Sequence, residues 1–115
     1  PALCIPDDAR RGHMIDAVFD PKNVPEQFKC GPIMLSKKYA LDAMNIDLVK
    51  DLCVIKNPVF IIHGIEDMLV NISYARTAAK AYPNCKFIEI HGDHGFNSEE
   101  SLSECKKAIA DYIIQ

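Results

Sequence analysis

Two apolar runs mark the C-terminal part of the chain. Residues 59–62 are apolar and partly β-branched and lead into His63-Gly64, and residues 87–90 lead into His91-Gly92. Unbroken apolarity in the first run, rather than alternation with polar residues, is typical of a strand covered on both faces, as in a parallel sheet. The pattern therefore predicts two neighbouring buried strands, each followed by a turn that begins with histidine and glycine.

Helical spacing of apolar residues surrounds these strands. Ser36, Asn71 and Ser98 each precede such a stretch and are suited to cap a helix N-terminus. The predicted helices follow Ser36, cover residues 72–81, and run from Ser98 towards the end of the chain, with a short helical turn over residues 47–52. Because helices alternate with strands, the predicted class is α/β, with parallel strands joined by right-handed crossovers.

Residues 1–35 differ in texture from the rest of the chain, because they contain five of its seven prolines. Proline lacks an N–H and restricts the residue before it, so long helices and central strands are not expected there. A short helix over residues 8–17 is predicted. The segment is too apolar for a linker, so we predict a cap or lid over residues 1–35 and a β/α domain over residues 36–115.

Composition excludes several classes of partner. The 115 residues are 49% hydrophobic and 25% charged, as in an ordinary globular domain. Thirteen basic and sixteen acidic residues give 13 − 16 = −3, which leaves no basic stripe for a nucleic acid. The apolar runs are too short to span a membrane, so a soluble protein without a membrane partner is expected.

Five dispersed cysteines form no C-x-x-C pair, which argues against a zinc ribbon and against a thioredoxin-type redox pair. Unpaired cysteines fit a reducing compartment, so a cytoplasmic location is predicted. None of them stands at a strand–glycine–helix elbow, so a cysteine nucleophile is disfavoured.

The turns after the two strands carry the candidate chemistry. Parallel neighbours would place Asp67 and His94 on the same edge of the sheet, where α/β proteins bind ligands. A carboxylate that accepts a hydrogen bond from an imidazole fixes its tautomer and stabilises its protonated form, as a general base for a serine nucleophile requires. Histidine, with an ordinary pKa near 6.5, suits this role. Met68, Leu69 and Phe96 adjoin the pair and are predicted to contact substrate.

Simpler roles compete with these assignments. Asp67 can instead cap the turn that follows it, and Glu66 is a neighbouring carboxylate and a minor competitor for the acid role. His63 is predicted to be packed and hydrogen-bonded rather than catalytic. His91 is predicted to be structural or solvent-facing, and His94 can be an ordinary histidine of an exposed turn.

A metal site is the remaining alternative at this edge, since imidazoles and carboxylates are suitable zinc or iron ligands. The side chains that would have to converge are His63, Asp67, His91, Asp93 and His94. No H-x-H-x-D-H or H-E-x-x-H spacing is present, so no metal is predicted.

Both turns resemble those of a known family. Residues 58–67, with Leu69-Val70 and the helix that contains Tyr74-Ala75-Arg76, resemble the acid-bearing turn of α/β-hydrolases, and residues 92–96 resemble their histidine-bearing turn. The chain order acid then histidine is also that of the family. The resemblance covers residues 36–115. Residues 1–8 are similar to a strand end and the start of a cap in cinnamoyl-esterase-like and serine-aminopeptidase-like hydrolases.

The resemblance implies a serine hydrolase that cleaves small-molecule carboxylic esters without a cofactor. His94 would be its general base and Asp67 the residue that orients it. The chain has no G-x-S-x-G, and the family would place the serine and the oxyanion-hole loop upstream. We therefore expect the C-terminal portion of an α/β-hydrolase, inactive alone, whose partner is an N-terminal half that carries the nucleophile. Met14 and Phe19 of the cap would either line an acyl or aromatic pocket or only hold the cap in place.

A second hypothesis follows from the missing nucleophile: a hydrolase-like module without catalysis that acts in binding or assembly. Two parallel strands cannot form an independently stable sheet. Their open edge favours pairing with another chain, so a homo-oligomer formed through the sheet edge is expected under this hypothesis.

Overall fold

A computed structural model describes residues 3–115, which form two compact units, one ending at Leu48 and one running from Val49 to Gln115. Among these residues, no helix is long and apolar enough to cross a membrane. The elements, in chain order, are α1 (Cys4–Arg11), β1 (His13–Met14), β2 (Ala17–Val18), β3 (Gln27–Cys30), β4 (Ile33–Ser36), α2 (Lys37–Met44), α3 (Leu48–Leu52), β5 (Val59–Gly64), α4 (Ile72–Ala81), β6 (Cys85–Ile90) and α5 (Glu99–Ile114).

The first helix was predicted with the wrong bounds. It begins at Cys4 rather than at residue 8, because Pro6 lies in its first turn, where a missing N–H breaks no helical hydrogen bond. It ends at Arg11, and the capping residue Gly12 adopts φ 71° and donates its N–H to the carbonyl of Ala9 at 3.1 Å. Of the predicted strand end over residues 1–8, Pro1 and Ala2 lie outside the described residues, and residues 4–8 are helical.

Two antiparallel hairpins follow α1, and neither was predicted from the sequence. β1 pairs with β2, and β3 pairs with β4 in a register that sets Phe28 opposite Leu35. The prolines permit these strands because they flank them: Pro25 precedes β3, and Pro32 lies in the turn between β3 and β4. Each hairpin has two strands, so neither strand is a central strand of the kind that proline would disrupt.

The N-terminal unit has its own apolar core, to which α2 contributes. The buried residues of that cluster are Ala9, Met14, Ala17, Val24, Phe28, Cys30, Ala40 and Ala43. Arg10 also ties α1 to the end of α2, donating Nε to the carbonyl of Met44 at 2.9 Å and Nη2 to that of Ile46 at 2.7 Å. The compact unit therefore extends past the predicted boundary after residue 35 and takes in α2.

The predicted cap of α2 is confirmed, since the Ser36 hydroxyl accepts the N–H of Tyr39 at 3.2 Å. We expect Ser36→Ala to lower the free energy of unfolding of the full-length protein by about 1 kcal/mol, because the N–H loses its acceptor. Ser36→Asp keeps an acceptor oxygen and should lose less than half as much. Urea denaturation measures both, and equal losses would contradict a capping role.

The C-terminal unit contains the predicted parallel strands. β5 and β6 pair in register from Val59 opposite Cys85 to Gly64 opposite Ile90. The helix caps are also as predicted: Asn71 accepts the N–H of Ser73 at the start of α4, and Ser98 accepts that of Ser101 at the start of α5.

Backbone hydrogen bonds join the turns that follow the two strands. Ile65 donates its N–H to the carbonyl of Ile90 at 2.8 Å, and Glu66 donates to that of Gly92 at 3.1 Å. The turns that follow the two strands therefore lie at one edge of the sheet and are hydrogen-bonded to each other.

Candidate active site

Asp67 is the carboxylate buried at this edge, with 3% of its side chain exposed. Its Oδ1 accepts the N–H groups of Leu69 at 2.9 Å and Val70 at 2.8 Å. This is the turn-capping role weighed for it in the sequence, and it leaves Oδ2 available to a partner from the next strand. Capping therefore fixes the direction of the second oxygen.

That partner is His94, whose Nδ1 lies 2.9 Å from Asp67 Oδ2. A carboxylate accepts, so Nδ1 carries the proton, and the neutral ring keeps its lone pair on Nε2. Burial acts to raise the pKa of Asp67, but the hydrogen bonds from Val70, His94 and Leu69 outweigh it and leave that pKa below its ordinary value. The structure thus brings together the acid and the imidazole that the sequence singled out.

Local hydrogen bonds shape the turn around His94. Asp93 accepts the backbone N–H of Asn97 at 2.9 Å on Oδ1 and its side-chain Nδ2 at 2.8 Å on Oδ2. These bonds also lower the pKa of Asp93. Phe96 adopts φ 50°, an uncommon conformation for a residue with a side chain. His94 therefore lies in a turn that is stabilised by hydrogen bonds within the turn itself.

His63, the last side chain of β5, is packed and hydrogen-bonded as predicted. Its Nε2 donates to the carbonyl of Val70 at 2.9 Å and also lies 3.1 Å from Asp67 Oδ2. The approach of His63 to Asp67 was not predicted from the sequence. His63 and Asp67 are four residues apart across the end of β5. This spacing could have indicated their contact, because the turn folds Asp67 back onto the strand.

A second pairing of an acid with an imidazole lies beside the first. Glu66 Oε1 is 2.7 Å from His91 Nδ1, and Oε2 accepts the N–H of Gly92 at 2.6 Å. His91 is solvent-facing, with 83% of its side chain exposed. The two adjacent carboxylates therefore serve different histidines, and Glu66 does not share the partner of Asp67.

The remaining predicted substrate contacts fall into two groups. Met68 and Leu69 are exposed beside Asp67, and Phe96 is half-buried near His94. In the N-terminal unit, by contrast, Met14 is buried in the core, and the Phe19 ring packs 4.8 Å from that of Phe28. Both therefore hold the N-terminal unit together, and their contact with a substrate stays a prediction.

Metal-ligating side chains do not gather in sufficient number here. Within residues 3–115, no group of three or more His, Cys, Asp or Glu side chains is placed to hold a metal ion. The edge of the sheet instead presents one shared carboxylate oxygen, Asp67 Oδ2, to the ring nitrogens of His63 and His94.

No protein-family model matches the chain, and no curated protein matches its sequence. Solved structures do match, among them Est1E from Butyrivibrio proteoclasticus and the same protein with ferulic acid bound. Each of these two is 28% identical and matches over 100% of this chain, with TM-scores of 0.82 and 0.83. Est1E is an esterase of the α/β-hydrolase family. The fold of this chain is that of the C-terminal portion of an α/β-hydrolase.

The chain spans about half the length of these structures, 49% of one and 48% of the other. In α/β-hydrolases the catalytic acid precedes the catalytic histidine along the chain. Asp67 after β5 and His94 after β6 stand in that order, at the carboxyl ends of adjacent parallel strands.

Proposed function

We propose that the complete protein is a serine hydrolase of carboxylic esters in which His94 is the general base and Asp67 orients it. The observation that carries this proposal is the hydrogen bond of 2.9 Å between Asp67 Oδ2 and His94 Nδ1 at the carboxyl ends of two parallel strands. The likeness to Est1E supports ester hydrolysis as the reaction.

The geometry suits the chemistry of acyl transfer. With Nδ1–H donated to Asp67, the His94 Nε2 lone pair takes the proton of a serine hydroxyl as its oxygen attacks the ester carbonyl. The buried carboxylate stabilises the imidazolium that forms. His94 then returns the proton to the departing alcohol, which leaves the acyl group on the serine. A water molecule, deprotonated by His94, attacks this acyl group and releases the acid and the free serine.

The nucleophile is proposed to come from an N-terminal half of the protein. The sequence contains no G-x-S-x-G, so this chain alone is proposed to be inactive. Within residues 3–115, β5 and β6 form a sheet of two strands. A parallel sheet of that size is not stable alone, which supports further strands from the N-terminal half as its continuation.

The proposed substrates are small-molecule esters, with esters of hydroxycinnamic acids as the first class to test. One of the Est1E structures contains ferulic acid, which is of that class. Met68 and Leu69 beside Asp67, and Phe96 near His94, would supply apolar contact to such an acyl group.

A second candidate function is non-catalytic binding or assembly through the sheet edge. The lack of a nucleophile motif in these 115 residues favours it, as does the two-stranded sheet. Such a module would form oligomers, which sedimentation or light scattering detects.

Reaction with a fluorophosphonate tests the proposal. We expect the full-length protein to gain the mass of one adduct, because an activated serine attacks phosphorus as it attacks a carbonyl. His94→Ala should slow labelling strongly, whereas Lys107→Ala, which alters an exposed lysine of α5, should label at the unmodified rate. A full-length protein that gains no adduct would contradict ester hydrolysis by serine and would favour the binding module.

A further inference from the structure

Glu66 makes three hydrogen bonds to the histidine-bearing turn. Its carboxylate accepts from His91 Nδ1 at 2.7 Å and from the Gly92 N–H at 2.6 Å, and its own N–H donates to the Gly92 carbonyl at 3.1 Å. Glu66, in the acid-bearing turn, is therefore hydrogen-bonded to both the N–H and the C=O of Gly92.

Gly92 is also confined by steric contact on both sides. A Cβ on Gly64 would lie 2.2 Å from the Gly92 carbonyl oxygen, and a Cβ on Gly92 would lie 2.9 Å from Cβ of Ser101. Ser101 is itself buried in α5. The backbone of Gly92, two residues before His94, is thus packed between β5 and α5, and Glu66 supplies the polar contacts that keep it there.

We propose that Glu66 is a positioning residue, whose carboxylate holds the turn that carries His94 so that Nδ1 stays on Asp67. This inference rests on the proposed function of Asp67 and His94. Glu66 touches neither of their side chains in these hydrogen bonds, so its effect reaches the reaction through the backbone at Gly92.

Charge supports the same role for Glu66. Hydrogen bonds from His91 and Gly92 lower the pKa of Glu66, and the hydrogen bond to Glu66 raises the pKa of His91, which also experiences the charge of Glu104. A cavity of about 350 Å³ exposes both groups to solvent, and its other titratable lining residues are Asp93, Glu100 and Glu104.

The sign of each shift sets the pH range of this contact. A lowered pKa keeps Glu66 charged at all pH values above the usual carboxyl range, and the stabilisation is lost as pH falls through that lowered pKa. A raised pKa keeps His91 protonated up to a higher pH, and its stabilisation is lost as pH rises through the raised value. The ion pair is therefore complete from about pH 4.5 to about pH 6.5, the ordinary values of the two groups, and above the raised pKa of His91 a neutral imidazole still donates to the Glu66 carboxylate.

Two substitutions of Glu66 separate positioning from general stability. In the full-length protein, Glu66→Ala should lower kcat for p-nitrophenyl butyrate by about tenfold or more while KM changes little, because the turn loses both acceptors. Glu66→Gln can accept from the Gly92 N–H and donate to a neutral His91 Nδ1, but not to a protonated one. The ratio of its kcat to that of the unmodified protein should be near one at about pH 8 and should fall at about pH 6.

Glu100→Gln is the matched control, because Glu100 lines the same cavity and is exposed. It should leave kcat, KM and the pH profile unchanged. A merely structural role of Glu66 would instead lower kcat for both Glu66 variants at every pH, in parallel with a lower Tm.

Nitrogen NMR of the labelled imidazoles supplies a test that does not need turnover. In the unmodified protein at alkaline pH, His94 should show a protonated Nδ1 and an unprotonated Nε2, and Glu66→Ala should shift this balance towards a mixture of tautomers. Unchanged His94 signals together with an unchanged kcat would overturn the positioning role. If the unmodified protein hydrolyses no ester, the proposed function fails instead, and the His94 signals still decide whether Glu66 holds the turn.

Discussion

Asp67→Asn is expected to lower kcat for ester hydrolysis by the full-length protein about 10⁴-fold. Asparagine keeps the size of aspartate and its Oδ1, which still accepts from Leu69 and Val70. Its amide nitrogen then faces His94 and donates to Nδ1, so the neutral ring carries its proton on Nε2, where a base needs a lone pair. The substitution therefore lowers kcat because it changes the tautomer of His94 and removes the carboxylate charge, while the turn stays intact.

His94→Ala should cause a loss of similar size, because it removes the proposed general base, while His63 Nε2 is hydrogen-bonded to Val70 and His91 Nδ1 to Glu66. Combining both substitutions should add little to either one, since the two residues act as a unit. Steady-state kinetics with p-nitrophenyl butyrate measures the loss, and thermal unfolding shows whether each variant is folded. Activity within about tenfold of the unmodified protein in either variant would contradict the assignment.

Gly64→Ala is expected to have the largest effect on stability. The added methyl would lie 2.2 Å from the carbonyl oxygen of Gly92 and 2.9 Å from that of Asp93, and both are backbone atoms that have no rotamer to change. The two turns must separate to admit it, so the free energy of unfolding should fall by about 3 kcal/mol. The same displacement moves His94 relative to Asp67, so kcat should fall as well.

Gly31→Ala provides the matched comparison for this steric effect. Gly31 has φ 57°, and a Cβ there would meet no atom within 4 Å. Its only penalty is backbone strain, which costs about 1 kcal/mol. Urea denaturation compares the free energies of unfolding of the two variants. An equal loss at both positions would contradict the role of Gly64 in preventing a clash between the two turns.

The regular elements of the C-terminal unit were predictable because their signals are local. A continuous apolar run defines β5, and Asn71 and Ser98 cap the helices that follow the strands. The hairpins of the N-terminal unit were not predictable in this way. Their strands are two to four residues long, and the prolines that bound them also suggest that no strand is present.

The acid–histidine pair was predictable, but the network around it was not. Two adjacent carboxylates and three histidines lie at the strand ends, and the pairing depends on strand register. A shift of one residue between β5 and β6 would exchange the faces of their side chains. The observed register, with Gly64 opposite Ile90, matches Asp67 to His94 and Glu66 to His91.

The buried cluster of the N-terminal unit is drawn from residues 9–43, and this has a consequence for the surface of that unit. The most exposed apolar side chains of that unit are Ile15, Val18, Ile33 and Met34. Substitutions at exposed positions usually change stability little. The N-terminal unit is therefore expected to tolerate substitutions of these side chains with its own core intact.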